Sequence, residues 1–439
     1  MFKKKICCII FAVFIVCNTC PAVCDVYRSQ LLDMIQAVSE RRSESFSGSQ
    51  AMYYSAGESS VTDWYAFIDG FLGRDTSEYK SFLQSFVCRW YEGGRLDRSS
   101  ATDWARVGLC AMSCGFSPVF EDNDTGSVID IVYDGTEGRS AIAVDDVLYP
   151  NALAFMIILA DAANSFGDEQ NVSDGFIQDK IGELLDCELE GGGFCLMGSA
   201  ADTDVTAMCI QALAPHRDTD VVSECIDRGL DILSSMQNES GGYATMGTSN
   251  CESCAQVVIA LTALGIDPQE DERFIKNGNS VLDEMLSFRQ DDGGFAHAEA
   301  SVMKSNELAT VQACLAMIAV YKLYTDGSRL YDMSKAHVSE PESTVSADIG
   351  TVPATETKPV SESEAFPAPV TEDHKITDII NEEPTAELAE SIPGEDGLTP
   401  VPGEQKQDST IVVMIVSGFC VVIIVVLIAY IRRRSVEKK

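Results

Sequence analysis

The sequence predicts an all-α fold, an (α/α)6 toroid of about twelve helices. Three observations carry that prediction. A Gly-Gly-aromatic turn recurs about every fifty residues, at Gly192-Gly193-Phe194, Gly241-Gly242-Tyr243 and Gly293-Gly294-Phe295. Each turn is followed by an apolar helix opened by an acid, as in 202–213, 252–265 and 306–317. No stretch alternates with the period of two that a half-buried strand needs.

The elements follow in chain order. Residues 1–24 carry Lys3, Lys4 and Lys5 and then an apolar run from Ile6 to Cys17, the layout of a secretory signal peptide. Residues 25–335 hold the helical pattern, with stretches at 26–40, 62–72, 77–92, 101–114, 126–135, 148–164, 174–187, 203–214, 219–236, 252–264, 274–288 and 306–324. Every second stretch is apolar nearly all round, for example 152–160, 207–213 and 255–264. A helix apolar on every face is buried on every face, so these form an inner barrel. The amphipathic partners, such as 221–237, form the outer ring, and the Gly-Gly turns are expected to end them as left-handed caps.

Residues 336–410 are rich in Pro, Glu, Ser and Thr and read as a disordered acidic stalk. Residues 411–431 contain no charge and are long enough to span a bilayer. Arg432, Arg433 and Arg434 follow, so 432–439 is expected inside the cell and everything before the span outside. The expected location is a single-pass protein of the plasma membrane.

The chain carries a formal net charge of −37. That balance excludes a nucleic-acid partner, because the phosphate backbone repels it. Ten of the 16 cysteines lie in 25–335. An oxidising compartment permits pairing, while positions such as Cys209 and Cys314 on apolar faces suit a small hydrophobe. Fewer than five disulfides are expected.

The strings Gln237-Asn238-Glu239-Ser240-Gly241-Gly242-Tyr243 and Gln290-Asp291-Asp292-Gly293-Gly294-Phe295 resemble the repeat of the prenyltransferase and squalene-cyclase superfamily. The resemblance spans most of 62–324 and is closest to secreted bacterial surface members, relatives of the cobalamin-carrier fold. It implies a toroid, and it implies exposure at a bacterial cell surface. It does not imply one activity, since the fold hosts many.

Asp202-Thr203-Asp204-Val205-Thr206-Ala207 resembles the acid motif of class II terpene cyclases, which puts Asp204 at the position of the proton donor and Asp202 beside it. Val205 stands where that motif has a further Asp. The bland reading is stronger. Asp63, Asp103, Asn151, Glu252 and Glu307 occupy the same slot in the other inner helices, where an oxygen caps free amides and meets the helix dipole. These five, with His297, are candidate ligand contacts at one rim. Zinc is not expected: His216 and His297 are the histidines of the folded part, and Cys251-x-x-Cys254 alone is a weak signal. No cofactor is implied. Three glycosylation sequons, at Asn123, Asn171 and Asn238, complete the motifs.

These readings predict a non-enzymatic surface toroid that binds a small apolar ligand or a protein partner in a lumen lined by residues such as Ala207, Ala255, Val257 and Ala309. The alternatives are an isoprenoid cyclase with Asp204 as general acid and a structural or adhesive surface protein.

Overall fold

The structure, a computed structural model, describes residues 27–46, 48–49, 54, 60–92, 101–122, 126–140, 149–167, 171–245, 247–298 and 304–335. The expected signal peptide, stalk, membrane span and cytoplasmic tail lie outside these residues. The helices are α1 (27–45), α2 (Ser60–Phe71), α3 (Ser77–Glu92), α4 (Ala101–Ser113), α5 (Ile131–Gly135), α6 (Glu137–Ser140) and α7 (Pro150–Ser165). They continue as α8 (Asp174–Leu185), α9 (Thr203–Leu213), α10 (Asp220–Met236), α11 (Cys251–Ala263), α12 (Val281–Ser287) and α13 (Glu307–Asp326).

Six of them close a ring. Helix α2 packs on α4, α4 on α7, α7 on α9, α9 on α11, α11 on α13, and α13 returns to α2. All run the same way, since the N-terminal Tyr65 of α2 reaches Glu307 of α13 and the C-terminal Phe71 of α2 stacks against Tyr321. The outer layer fills the gaps. Helices α8, α10 and α12 pack on α7, α9 and α11, and α5 bridges α4 and α7. Helix α1 completes the circle, with the Tyr27 ring edge-on to Tyr324 at 5.9 Å and Ser39 bonded to Asp69. The inner helices are buried on nearly every side, from Leu153 to Ala163 in α7 and from Ala309 to Tyr321 in α13. Among the described residues α13 is the one helix long and apolar enough to cross a membrane, and the ring buries it.

The periodic turns are built alike three times over. In each, the residue three before the first positive-φ glycine both accepts its N–H and donates to the next glycine's carbonyl. The pairs are Leu189 with Gly192 and Gly193, Asn238 with Gly241 and Gly242, and Gln290 with Gly293 and Gly294. This is a tight turn, not the helix cap expected from the sequence. Helix α10 ends at Gln237 in extended backbone, and Gly241 follows four residues later with φ +93°. A Cβ on Gly241 would lie 2.7 Å from the Asn279 carbonyl oxygen, so only glycine fits.

The aromatic after each glycine pair is fully buried: Phe194, Tyr243 and Phe295. Its carbonyl accepts the N–H of the coming helix's N-cap, from Asp202 at 2.8 Å, Asn250 at 3.1 Å and Asn306 at 2.7 Å. Each N-cap side chain then accepts from the amide three residues on, at Val205, Ser253 and Ala309. The sequence pattern is therefore a joint that sets each inner helix against the preceding outer one.

Two expected helices are shortened. In place of 126–135 stand β1 (Val119–Glu121), β2 (Val128–Asp130) and then α5. In place of 274–288 a short 3-10 turn leads to β5 (Ile275–Lys276), β6 (Asn279–Ser280) and then α12. Between them Ala244–Thr245 and Thr248–Ser249 form β3 and β4. The cause at 277–278 is an Asn-Gly hairpin turn with φ +50° and +87°. The apolar flanks hid that signal.

Candidate functional site: an acid rim in two halves

The N-termini of the six inner helices meet at one rim, and the six candidate residues all lie on it. On α9, α11 and α13 the acids Asp204, Glu252 and Glu307 do not cap the helix as the sequence suggested. The caps of α9, α11 and α13 are Asp202, Asn250 and Asn306. Asp202 is therefore a capping residue, while Asp204, Glu252 and Glu307 follow it or its counterparts with their side chains free for other partners.

Three consecutive helices, α13, α2 and α4, have their acids held by arginine. Arg41 Nη1 meets Glu307 Oε1 at 2.8 Å, with Arg42 at 3.7 Å from Oε2, and the Tyr65 hydroxyl donates to Glu307 at 2.8 Å. Arg106 Nε donates to Asp63 Oδ2 at 2.7 Å and its Nη1 pairs with Asp103. Tyr79 completes Asp63 with a bond of 2.9 Å. One guanidinium thus bridges acids of two neighbouring helices.

The next three helices, α7, α9 and α11, carry Asn151, Asp204 and Glu252, each at the second helical position. Among the described residues no arginine reaches them. Asn151 is 3 % exposed, and its Oδ1 is enclosed without a hydrogen-bond partner. Asp204 Oδ1 is in the same state. Burial, Asp202 and Glu252 together push the Asp204 carboxyl up to about 7, against the pull of a hydrogen bond from Ser253. Glu252 pairs with His297, whose Nδ1 lies 3.0 and 2.9 Å from its two oxygens. That hydrogen bond raises the imidazole pKa. The side chain of His297 is 35 % exposed, so the rim opens to solvent here.

The interior differs from the expected apolar lumen. Ala207, Ala255, Val257 and Ala309 are fully buried in helix packing. Three glutamines that the sequence reading passed over form a chain across α9, α11 and α13. Gln211 Nε2 donates to Gln256 Oε1 at 3.0 Å, and Gln256 Nε2 to Gln312 Oε1 at 3.3 Å. Their signal was a lone Gln inside each apolar run. Beyond them a cavity of about 30 Å³, the size of one or two waters, is lined by Ile158, Gln211, Ile259 and Tyr331. The strap 328–335 lies over that end, with Tyr331 edge-on to Phe67 and the Met333 N–H on Ser165 Oγ at 2.9 Å.

The remaining motifs have structural work. His216 pairs with Asp161 at 2.9 Å just past the C-terminus of α9, at the rim opposite His297, so the two histidines do not converge. The Cys254 thiol takes a hydrogen bond from the Tyr243 backbone, the place that Thr206 and Thr310 hold for Phe194 and Phe295. All ten described cysteines are free thiols. Of the sequons, the Asn171 amide donates to the Ala163 carbonyl at 2.7 Å, and the Asn238 oxygen accepts from Ser240 and Gly242. Residues 123–125 lie outside the described residues.

No protein-family model and no curated protein matches the chain. Among the solved structures similar to it are the following two. One is the ent-copalyl diphosphate synthase from Streptomyces platensis, at 15 % identity and a TM-score of 0.39, covering 62 % of this chain and 50 % of that one. This chain thus spans about half the length of that synthase. The other is the unsaturated glucuronyl hydrolase from Bacillus sp. GL1, at 10 % identity and a TM-score of 0.43, covering 66 % of this chain and 96 % of that one. Both have α/α-toroid folds. Independently of these likenesses, the closed ring of six parallel inner helices makes the described part of this chain an α/α toroid.

Proposed function

We propose that this is a surface-held binding protein whose working end is the half of the acid rim that no described arginine reaches. Residues 1–24 direct the chain out of the cell and 411–431 anchor it. The observation that carries the reading is the pair of enclosed, unpartnered oxygens on Asn151 and Asp204. An unsatisfied buried acceptor costs about 1–3 kcal/mol, and a ligand that donates to it offsets that loss. The glutamine chain across the ring favours a polar ligand or a partner at the rim over an apolar molecule in the lumen. Native mass spectrometry of the full chain purified from its source, beside Asp204→Asn, tests this. A bound molecule or partner lost from the variant supports the reading. A clean mass for both, before and after soaking in cell extract, leaves the structural or adhesive role.

A second reading rests on the Asp204 carboxyl near 7, which keeps a large share of it protonated at neutral pH, as a general acid requires. In that reading Asp204 protonates an isoprenoid alkene and Glu252 with His297 tunes it. Products formed from polyprenyl substrates by the wild-type chain and lost in Asp204→Asn support it. Unchanged lipids in both exclude it.

A further inference from the structure

The two halves of the rim solve the same electrostatic problem differently. Where acids of two adjacent inner helices approach, the chain places a guanidinium between them, as Arg106 spans Asp63 of α2 and Asp103 of α4, and Arg41 likewise holds Glu307 of α13 together with Asp292 of the turn before it. Helices α7 and α9 are adjacent in the same ring and put Asn151 and Asp204 at the same helical position. Here the Oδ1 atoms of both are enclosed without a donor, while Ser253 donates to the Asp204 carboxyl. The charge around them is negative, from Asp202, Asp204 and Glu252, and the one described cation nearby is the imidazole of His297 on Glu252. At the start of α9 the Val205 amide is already taken by the N-cap Asp202.

We infer that Asn151 and Asp204 form a site for a cationic hydrogen-bond donor, a guanidinium or ammonium group brought by the ligand, which fills the place that Arg106 fills between α2 and α4. The inference rests on the binding reading above and names its chemistry. A planar guanidinium bridges the two helices as Arg106 does, with one N–H on the Asn151 oxygen and another on the Asp204 carboxylate. On binding, the Asp204 proton leaves to solvent and the ion pair forms. Glu252, held by His297, borders the site. The source of the group is either a free amine or the Arg or Lys side chain of a protein partner, since both present the same donor set.

Isothermal titration of the detergent-solubilised full chain with agmatine and with a short arginine-containing peptide tests the site. One equivalent of agmatine is expected to bind, and Asp204→Asn is expected to weaken it at least about tenfold, the loss of one charge-assisted hydrogen bond. Asn151→Ser, a second variant that keeps a small polar side chain, is expected to weaken it as well. Glu190→Gln, in an exposed turn, is the control and leaves binding unchanged. Thermal melts of each variant show whether the toroid is intact. Equal affinity for agmatine and peptide assigns the site to the cationic group alone, and binding of the peptide only assigns it to a protein partner. No binding of either, or binding that Asp204→Asn leaves intact, overturns the inference. If native mass spectrometry finds a neutral or anionic ligand that Asp204→Asn removes, the binding reading stands and the cationic assignment falls. If the variants change neither assay, both fall.

Discussion

The rim of this toroid is one structure built two ways. On α13, α2 and α4 every acid has a permanent cation and a tyrosine or a second acid to share it with. On α7, α9 and α11 the corresponding side chains have a histidine at Glu252 and enclosed oxygens without partners at Asn151 and Asp204. The difference is one of commitment. The first half is satisfied within the chain and serves stability, because a buried ion pair is strongly destabilising to break. The second half lacks such partners among the described residues, and the binding proposal rests on that difference.

The comparison breaks most plainly at Arg106. Its side chain is 7 % exposed and serves Asp63, itself 8 % exposed in its side chain. Arg106→Met leaves two acids unpaired in the core and is expected to lower the unfolding free energy by roughly 3–5 kcal/mol in urea titrations. Adding Asp63→Asn recovers part of that loss. A variant as stable as the wild type would mean that the clamp is not what holds this half.

Asp204→Asn has the opposite sign. Its folded pKa, pushed up to about 7 from 3.8, means that stability present at low pH is lost as the pH rises from about 4 through 7. The amide removes that loss, so at pH 8 the variant is expected to be more stable by up to about 4 kcal/mol and at pH 4 to match the wild type. Thermal melts at the two pH values measure it. Equal melts at pH 8 would show that the carboxyl is comfortably solvated.

Arg41→Met removes cations from Glu307 and Asp292 at a more open site, where the acids are 39 % and 53 % exposed. A loss of about 1 kcal/mol is expected, shrinking in high salt. The smallest effect is at His297. Its raised pKa places the stability of the Glu252 pair fully below pH 6.5, and the pair is lost as the pH rises through the folded value. His297→Arg makes the cation permanent, and stability at pH 9 is expected to rise by about 0.5 kcal/mol with no change at pH 5. Melts as a function of pH separate this from Asp204→Asn, since the two act in different windows.

Much of this was legible beforehand. The Gly-Gly-aromatic period marked the joints, and the all-round apolar helices marked the inner barrel, because both are local consequences of residue type. The errors came where a short local signal was overlooked beside a longer pattern. Asn277-Gly278 made a hairpin in the polar stretch between Lys276 and Ser280, and Asp204 read as a cap although Asp202 takes that part. The glutamines were invisible as a group, since Gln211, Gln256 and Gln312 lie on three helices and meet only across the ring.

The sequence by itself determined the alternation of inner and outer helices, the glycine joints and the placing of an acid or amide near the start of every inner helix. These depend on periodicity, propensity and capping, which act over a few residues. Only the tertiary structure decided which of those acids would be neutralised. Arg41 lies 266 residues from Glu307, and closing the ring brings them together, while Arg106 lies 43 from Asp63 and meets it where α4 packs on α2. Ion pairing acts through distance in space, so the clamped half and the open half of the rim became distinct when the sixth inner helix met the first.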